Sequence, residues 1–374
     1  MQIEKDQTMS KFHGFARGMG IGGWLTNYKR FNVLPDEWKL LLTIGDFEHF
    51  DSYITEADVA RIAAWGMDHI RLGFDQIVLE ESPYHYRERT FALIDRFIAW
   101  CEKYHLNLVL NLHKAIGNYC DIPEPIALLD DPELQRRFIA LWQEIERRYH
   151  TKDNIVFELL NEVRDVLPDQ WNDLVAKTVT ALRQMNPNRK IVVGSICWNG
   201  VAELKDLRLF DDENIIYTFH FYSPFEFTHQ QGVLQARTLY YNRKMSYPDT
   251  IVKYREFREL LNCPLGDYED FECMNKGYLR HALRGAFEFR QSHPEKILWC
   301  GEFGTIRHCK LKDRENWMND VISLLKEYDI PYCAWNYLST PNDGNRFSLV
   351  DDDTREILSP RLLEIINGTY AKRL

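Results

Sequence analysis

The chain has 374 residues, 45% hydrophobic and 27% charged, as in a soluble globular protein with a sizeable core, whether one α/β barrel or two smaller domains. A formal net charge of -10 argues against nucleic acid, whose binding rests on clustered Lys and Arg, and equally against an anionic membrane surface. No stretch is long and apolar enough to span a bilayer.

The first eleven residues are polar and carry no apolar leader core. The chain as written is therefore expected in the cytoplasm, although a secreted protein trimmed of its signal peptide would read the same. The eight cysteines include no C-x-x-C pair. Cys101, Cys197, Cys273, Cys300 and Cys333 fall in helix- or strand-like contexts and are expected to behave as small core residues in a reducing compartment.

Taken in order, apolar runs rich in β-branched and aromatic residues occupy 15–21, 69–74, 106–112, 155–160, 190–196, 215–221, 297–300 and 332–335. Amphipathic stretches lie between and after them, at 56–65, 90–104, 132–149, 168–185, 314–328 and 360–366. Helix starts are marked by Thr55 with Asp58, by Asp131-Pro132 and by Ser359-Pro360. Eight strand–helix units without a halfway reversal predict a single (β/α)8 barrel spanning 1–374. Two connections are too long for ordinary loops. Residues 27–53 follow the first strand, and 223–275 follow the sixth with a helix-like stretch of its own at 249–261. Segments of that length are usually lids or small subdomains, and both leave the face where barrel active sites sit.

The strand ends carry the chemistry. Glu162 closes Phe157-Glu158-Leu159-Leu160-Asn161-Glu162, and Glu302 sits in Leu298-Trp299-Cys300-Gly301-Glu302-Phe303-Gly304. A carboxylate at such a place is poorly suited to the core and well suited to a pocket at the strand ends. Two of them meet the requirement of glycoside hydrolysis, one as proton donor and one as nucleophile or base. Arg71, His113, His220 with Tyr222, and Trp335 with Asn336 recur at the same end of other strands. Singly each has a structural explanation; together they line one mouth.

From Gly22-Gly23-Trp24 to Trp335-Asn336, the order and spacing of these motifs resemble glycoside hydrolase family five, and in particular bacterial endoglucanases with a large insertion after strand six. The resemblance implies a retaining β-glucan hydrolase acting within β-1,4-linked or mixed β-1,3-1,4-linked chains. Glu302 would be the nucleophile and Glu162 the acid/base, supported by Arg71 paired with Glu302, Asn161 on the sugar 2-hydroxyl, His220 near Glu162, and Tyr222 beside Glu302. His113, Trp335, Asn336, Trp24 and Lys114 would contact substrate. A carboxylate beside a guanidinium is expected to stay ionised, as a nucleophile must. Gly73 and Lys114 depart from the family pattern, which often has proline and a second histidine there; the first concerns backbone shape, and the second puts a cation where a neutral ring often lies, which bears on subsite preference. Mannan, xyloglucan, β-1,3-glucan or short oligosaccharides remain open as substrates. No cofactor is expected, and the expected state is a monomer.

Two motifs point elsewhere. Gly18-Met19-Gly20-Ile21-Gly22-Gly23 matches a dinucleotide fingerprint, but no helix pattern opens at its end. His113, Glu162, His220 and Glu302 are all metal-ligand types, as in metal-dependent sugar isomerases; the H-x-H or H-E-x-x-H spacing of such sites is missing.

Overall fold

The computed structural model describes residues 12–28, 42–120, 126–164, 166–234, 236–340 and 343–370. The N-terminal eleven residues and half of the 27–53 connection thus lie outside the described residues. Eight parallel strands form one closed barrel: β1 (Arg17–Leu25), β2 (His69–Asp75), β3 (Asn107–Lys114), β4 (Ile155–Glu158), β5 (Ile191–Gly194), β6 (Ile215–Phe221), β7 (Ile297–Phe303) and β8 (Tyr332–Ala334). Each pairs with its sequence neighbour and β8 closes onto β1. All eight predicted runs are barrel strands.

The outer layer includes α1 (Glu56–Ala64), α2 (Glu88–Lys103), α3 (Pro132–Tyr149), α4 (Pro168–Met185), α5 (Arg284–Ser292), α6 (Leu311–Glu327) and α7 (Pro360–Ile366). Their starts follow the sequence signals. Thr55 and Asp58 form a reciprocal capping box, Asp131 accepts from the Glu133 and Leu134 amides, and Ser359 accepts from the Leu362 amide. Among the described residues no helix is long and apolar enough to cross a membrane.

Alternate residues of each strand point at the barrel axis, so the interior is built in layers. The floor is apolar: Val109, Val156, Val192, Ile216 and Cys333 from five strands pack with Trp299, and Phe12 and Phe15 belong to the same cluster. Two residues further along β4 and β6 come Glu158 and Thr218, buried polar groups in the middle of the barrel. Polar side chains thus occupy the upper layers because the lower one already excludes water. The cysteine expectation holds for Cys101, Cys300 and Cys333. It fails for Cys273, which is exposed in a surface ladder, and for the half-buried Cys197.

The segment after β6 carries short helices at Phe225–Thr228, Ala236–Tyr241 and Val252–Leu260, and a two-residue ladder joining Asp249–Thr250 to Cys273–Met274. Phe227, Tyr247, Tyr254 and Phe257 are buried. Glu226, also buried, ties the segment together by accepting from Arg258 at 3.0 Å and from the Tyr268 hydroxyl at 2.7 Å.

One buried ion pair holds α3 against the barrel far from the mouth. Arg189 donates to both Glu146 carboxylate oxygens, at 2.7 and 3.3 Å, and to the carbonyls of Tyr149, Lys152 and Ile155. Glu146→Ala strands that guanidinium without its charge partner. It should lower unfolding free energy by about 3–5 kcal/mol in denaturant titration while leaving kcat of the folded enzyme near wild type.

Candidate active site

The strand C-termini open into a cleft of about 630 Å³ containing Glu162, Glu302, His220 and Tyr222, with walls that include His113, Trp198, Phe225, Trp335 and Phe347. Glu302 lies within β7, beside a register shift at Cys300–Glu302, rather than at the strand's last residue. Glu162 stands four residues beyond β4. The chain there keeps bonding to its neighbours, Leu159 N to Val192 O at 3.1 Å and Asn161 N to Leu112 O at 2.9 Å, so the glutamate is held although the strand has ended. Its φ of 46° is left-handed, a conformation disfavoured for a residue with a Cβ and typical of functional sites.

Each oxygen of Glu302 has a donor. Arg71 Nη1 reaches Oε1 at 2.5 Å, and the Tyr222 hydroxyl donates to Oε2 at 2.8 Å. His220 Nδ1 is 2.9 Å from Glu162 Oε1 and 3.6 Å from Glu302 Oε2, between the two carboxyls. The expected placements of Arg71, Tyr222 and His220 all hold. One residue missed from the sequence is Glu158. Its carboxylate takes the Nε and Nη2 edge of Arg71 at 2.6 and 2.8 Å, both side chains fully buried. The signal was present: an acid and an arginine, each inside an otherwise apolar strand run.

Glu158 changes the electrostatics. Burial pushes the Glu302 carboxyl above its ordinary value and Glu162 adds to that, against the pull of His220, Arg71 and the Tyr222 hydroxyl. The expectation that Arg71 simply keeps Glu302 ionised is corrected to this extent: one guanidinium is shared by two carboxylates. Burial drives both histidines the other way. His220 is pushed down to about 4, and His113, also facing Arg71 and Lys114, lies well below its usual value.

Asn161 is buried directly behind the cleft, its amide against two residues of the lining, His113 and Cys120. Its Oδ1 accepts from Arg71 Nη2 at 2.8 Å and its Nδ2 lies 3.4 Å from His113 Nε2. The amide thus ties the guanidinium to the His113 ring, whose Nδ1 faces Asn111 Oδ1 at 2.9 Å. His113 stacks on Trp335 with ring centroids 5.5 Å apart and planes 8° from parallel. Gly20 and Gly22 of β1 make this possible, since a Cβ on either would lie 2.7 Å from the indole. The glycine-rich run that imitated a nucleotide fingerprint is therefore a bed for Trp335. Gly73 likewise leaves room for His113, whose Nδ1 would be 3.2 Å from an added Cβ.

Trp335 and Asn336 line the cleft as expected. Trp24 does not. It has no exposure, packs on Phe97, and donates its indole N–H to the Phe50 carbonyl at 2.8 Å, because its direction on β1 is toward the helices. Lys114 follows the inward-facing His113 on β3 and is buried, and its charge acts on His113 and on Asp343.

The connection after β5 supplies what the sequence reading overlooked. Cys197, Trp198 and Asn199 all have left-handed φ, between 54° and 59°. Trp198 is 46% exposed on the cleft and its indole N–H reaches the Cys120 carbonyl at 3.2 Å. Among the described residues of the segment after β6, Phe225, His229 and Leu234 line the cleft. Tyr240 is exposed away from the lining, and most of the other aromatics pack within the segment.

One ligand-type atom from each of Glu162, His220 and Glu302 falls within 4.8 Å of the others. That spacing suits a metal ion as well as a pair of catalytic carboxyls. A family model described as cellulase, glycosyl hydrolase family 5, matches residues 39–340. Endoglucanase C of Acetivibrio thermocellus is 37% identical over 359 residues, 94% of this chain and 98% of its own. Cellodextrinase A of Ruminococcus flavefaciens is 30% identical over 86% of this chain and 85% of its own. The crystal structure of endoglucanase Cel5A from Thermotoga maritima superposes with a TM-score of 0.73 at 23% identity, covering 96% of this chain and 99% of that one. This chain, with its two carboxyls at the mouth of a closed barrel, belongs to the cellulase family, glycosyl hydrolase family 5, and is an enzyme that hydrolyses O-glycosyl bonds.

Proposed function

We propose that the protein is a retaining endo-β-1,4-glucanase that also accepts mixed β-1,3-1,4-glucan, with Glu302 as nucleophile and Glu162 as acid/base. The observation that carries the mechanism is the approach of the two carboxyls, with an oxygen of each within 4.8 Å. Retaining enzymes hold their carboxyls about 5–5.5 Å apart, whereas inverting ones leave room for a water between them. The substrate class rests on the extended match to Endoglucanase C and on a cleft with aromatic faces at Trp198, Phe225 and Trp335.

In the first step Glu302 attacks the anomeric carbon while Glu162 passes its proton to the departing glycosidic oxygen. Arg71 and the Tyr222 hydroxyl hold the attacking carboxylate in line. In the second step Glu162, now a carboxylate, takes a proton from water, which displaces Glu302 from the sugar. Trp335 offers a flat apolar face to the ring before the cleaved bond, and Trp198 and Phe225 offer faces further along the cleft.

The first anomer released from a β-glycoside, followed by NMR, should be β; an initial α-product would overturn the assignment of Glu302. Glu302→Ala should abolish turnover on every substrate and recover partly with azide as the α-glycosyl azide. Glu162→Ala should lose about a hundredfold or more on natural glucans and far less on aryl glycosides with good leaving groups, which need no proton to depart. An equal loss on both substrate types would show that the two roles are not separated.

Because Glu302 is displaced upward, it protonates, and the nucleophile is lost, at a pH above the ordinary glutamate value of 4.5. The acid limb of kcat/KM should therefore lie above 4.5, as a property of the coupled carboxyl pair. The Tyr222 hydroxyl bond lowers the Glu302 pKa, so Tyr222→Phe should move that limb further toward neutral. A limb at or below the ordinary value would contradict this.

None of these steps uses a metal, so activity should survive prolonged chelation. Loss with EDTA and recovery with Mn²⁺ would favour the metal-dependent reading of the same three side chains.

A further inference from the structure

A buried amide faces the proton-transfer machinery and takes no part in the hydrolysis scheme above. Asn199, after β5, has no solvent exposure, and its Nδ2 lies 3.1 Å from Nε2 of His220. Its Oδ1 has no hydrogen-bond partner among the described residues. An amide nitrogen only donates, so with the amide in this orientation Nε2 presents a lone pair. Burial keeps the ring neutral, with its pKa pushed down to about 4. The ring's single proton then sits on Nδ1, which faces Glu162 Oε1 at 2.9 Å.

We propose that Asn199 is a positioning residue that locks His220 in its Nδ1–H tautomer, so that the ring donates a hydrogen bond to Glu162 when that carboxyl is ionised. The assignment of acid/base chemistry to Glu162 is taken from the reading above. On that basis the bond strengthens as Glu162 gives its proton to the leaving oxygen and charge develops on it, which lowers the barrier rather than merely binding substrate. With the amide turned over, Oδ1 would require Nε2–H and leave a Nδ1 lone pair facing the same carboxylate.

The local chain is shaped for this contact. Asn199 has φ 55°, a region that Asn enters more readily than most residues. Gly194 at the end of β5 leaves space for it, since a Cβ there would be 2.5 Å from Asn199 Oδ1. Ser195 Oγ donates to the Gly200 carbonyl at 2.7 Å and closes the turn. A purely conformational role would need only a residue tolerant of that φ, and this distinction sets the experiment.

Full-length enzyme labelled with ¹⁵N-histidine reports the tautomer of each ring, with His220 assigned from the signals lost in His220→Ala. The wild type should show a protonated Nδ1 and an unprotonated Nε2. Asn199→Gly tolerates the positive φ and removes the amide; it should shift the ring toward Nε2–H. Asn199→Asp offers only acceptors and should place the proton on Nε2. In both variants kcat on cello-oligosaccharides should fall about tenfold, with a smaller loss on activated aryl glycosides. A wild-type Nε2–H ring would overturn the proposal, as would an unchanged tautomer in variants that melt like wild type. If the tautomer shifts but the leaving-group pattern does not follow, the assignment of Glu162 fails and the Asn199–His220 coupling stands.

Discussion

The guanidinium of Arg71 organises this protein's active end. It is fully buried and in contact with groups from three other parts of the barrel: Glu158 on β4, Asn161 beyond it, and Glu302 on β7. Burial opposes its charge, while the two carboxylates, Glu158 first, more than offset that and raise its pKa. A buried cation is tolerable only when its donors are taken, and here Nε, Nη1 and Nη2 all have acceptors. The consequence is geometric. Moving β2 relative to β4 or β7 would break a desolvated ion pair, so the distance between β4 and β7, the strands that lead to Glu162 and Glu302, is held by charge as well as by the sheet.

Sharing the cation also sets the chemistry of Glu302. Glu158 occupies the bidentate edge and leaves a single Nη1 contact for Glu302, too little to outweigh burial. Tyr222 and His220 then act from the other side of the carboxyl. The neutral histidines matter for the same reason. A charged ring beside Arg71 would be repelled, and both His113 and His220 carry low pKa values in part because that guanidinium is near.

Around this rigid centre the backbone departs from ordinary geometry at Glu162 and at Cys197, Trp198 and Asn199. The two places touch. Trp198 N donates to Val163 O at 2.9 Å, and Cys197 N to Arg164 O at 3.4 Å, so the connection after β5 braces the one after β4. Left-handed residues cost free energy wherever they have a Cβ, and they persist where neighbours over-determine them. The braced turn carries an exposed indole on the cleft wall and a buried amide against His220.

The periodic features of this chain were legible from its residues alone. Eight β-branched runs, the capping signals at Thr55, Asp131 and Ser359, and the recurrence of polar residues at strand ends depend on neighbours along the chain, and all of them appear in the barrel. Glu162, Glu302, Arg71, His220 and Tyr222 were legible for the same reason: strand order places such ends at one mouth. Contacts between elements were not. Glu158 reads as one more residue of a strand until β2 brings Arg71 beside it, and Trp24 reads as a cleft residue until its direction off β1 is known. Asn199 and Trp198 lie in a turn with no periodicity, where left-handed φ values alone decide which way each side chain faces. Local sequence thus determined which elements form and in what order. Tertiary structure decided side-chain direction and the sharing of one buried charge, because both depend on which groups lose water together.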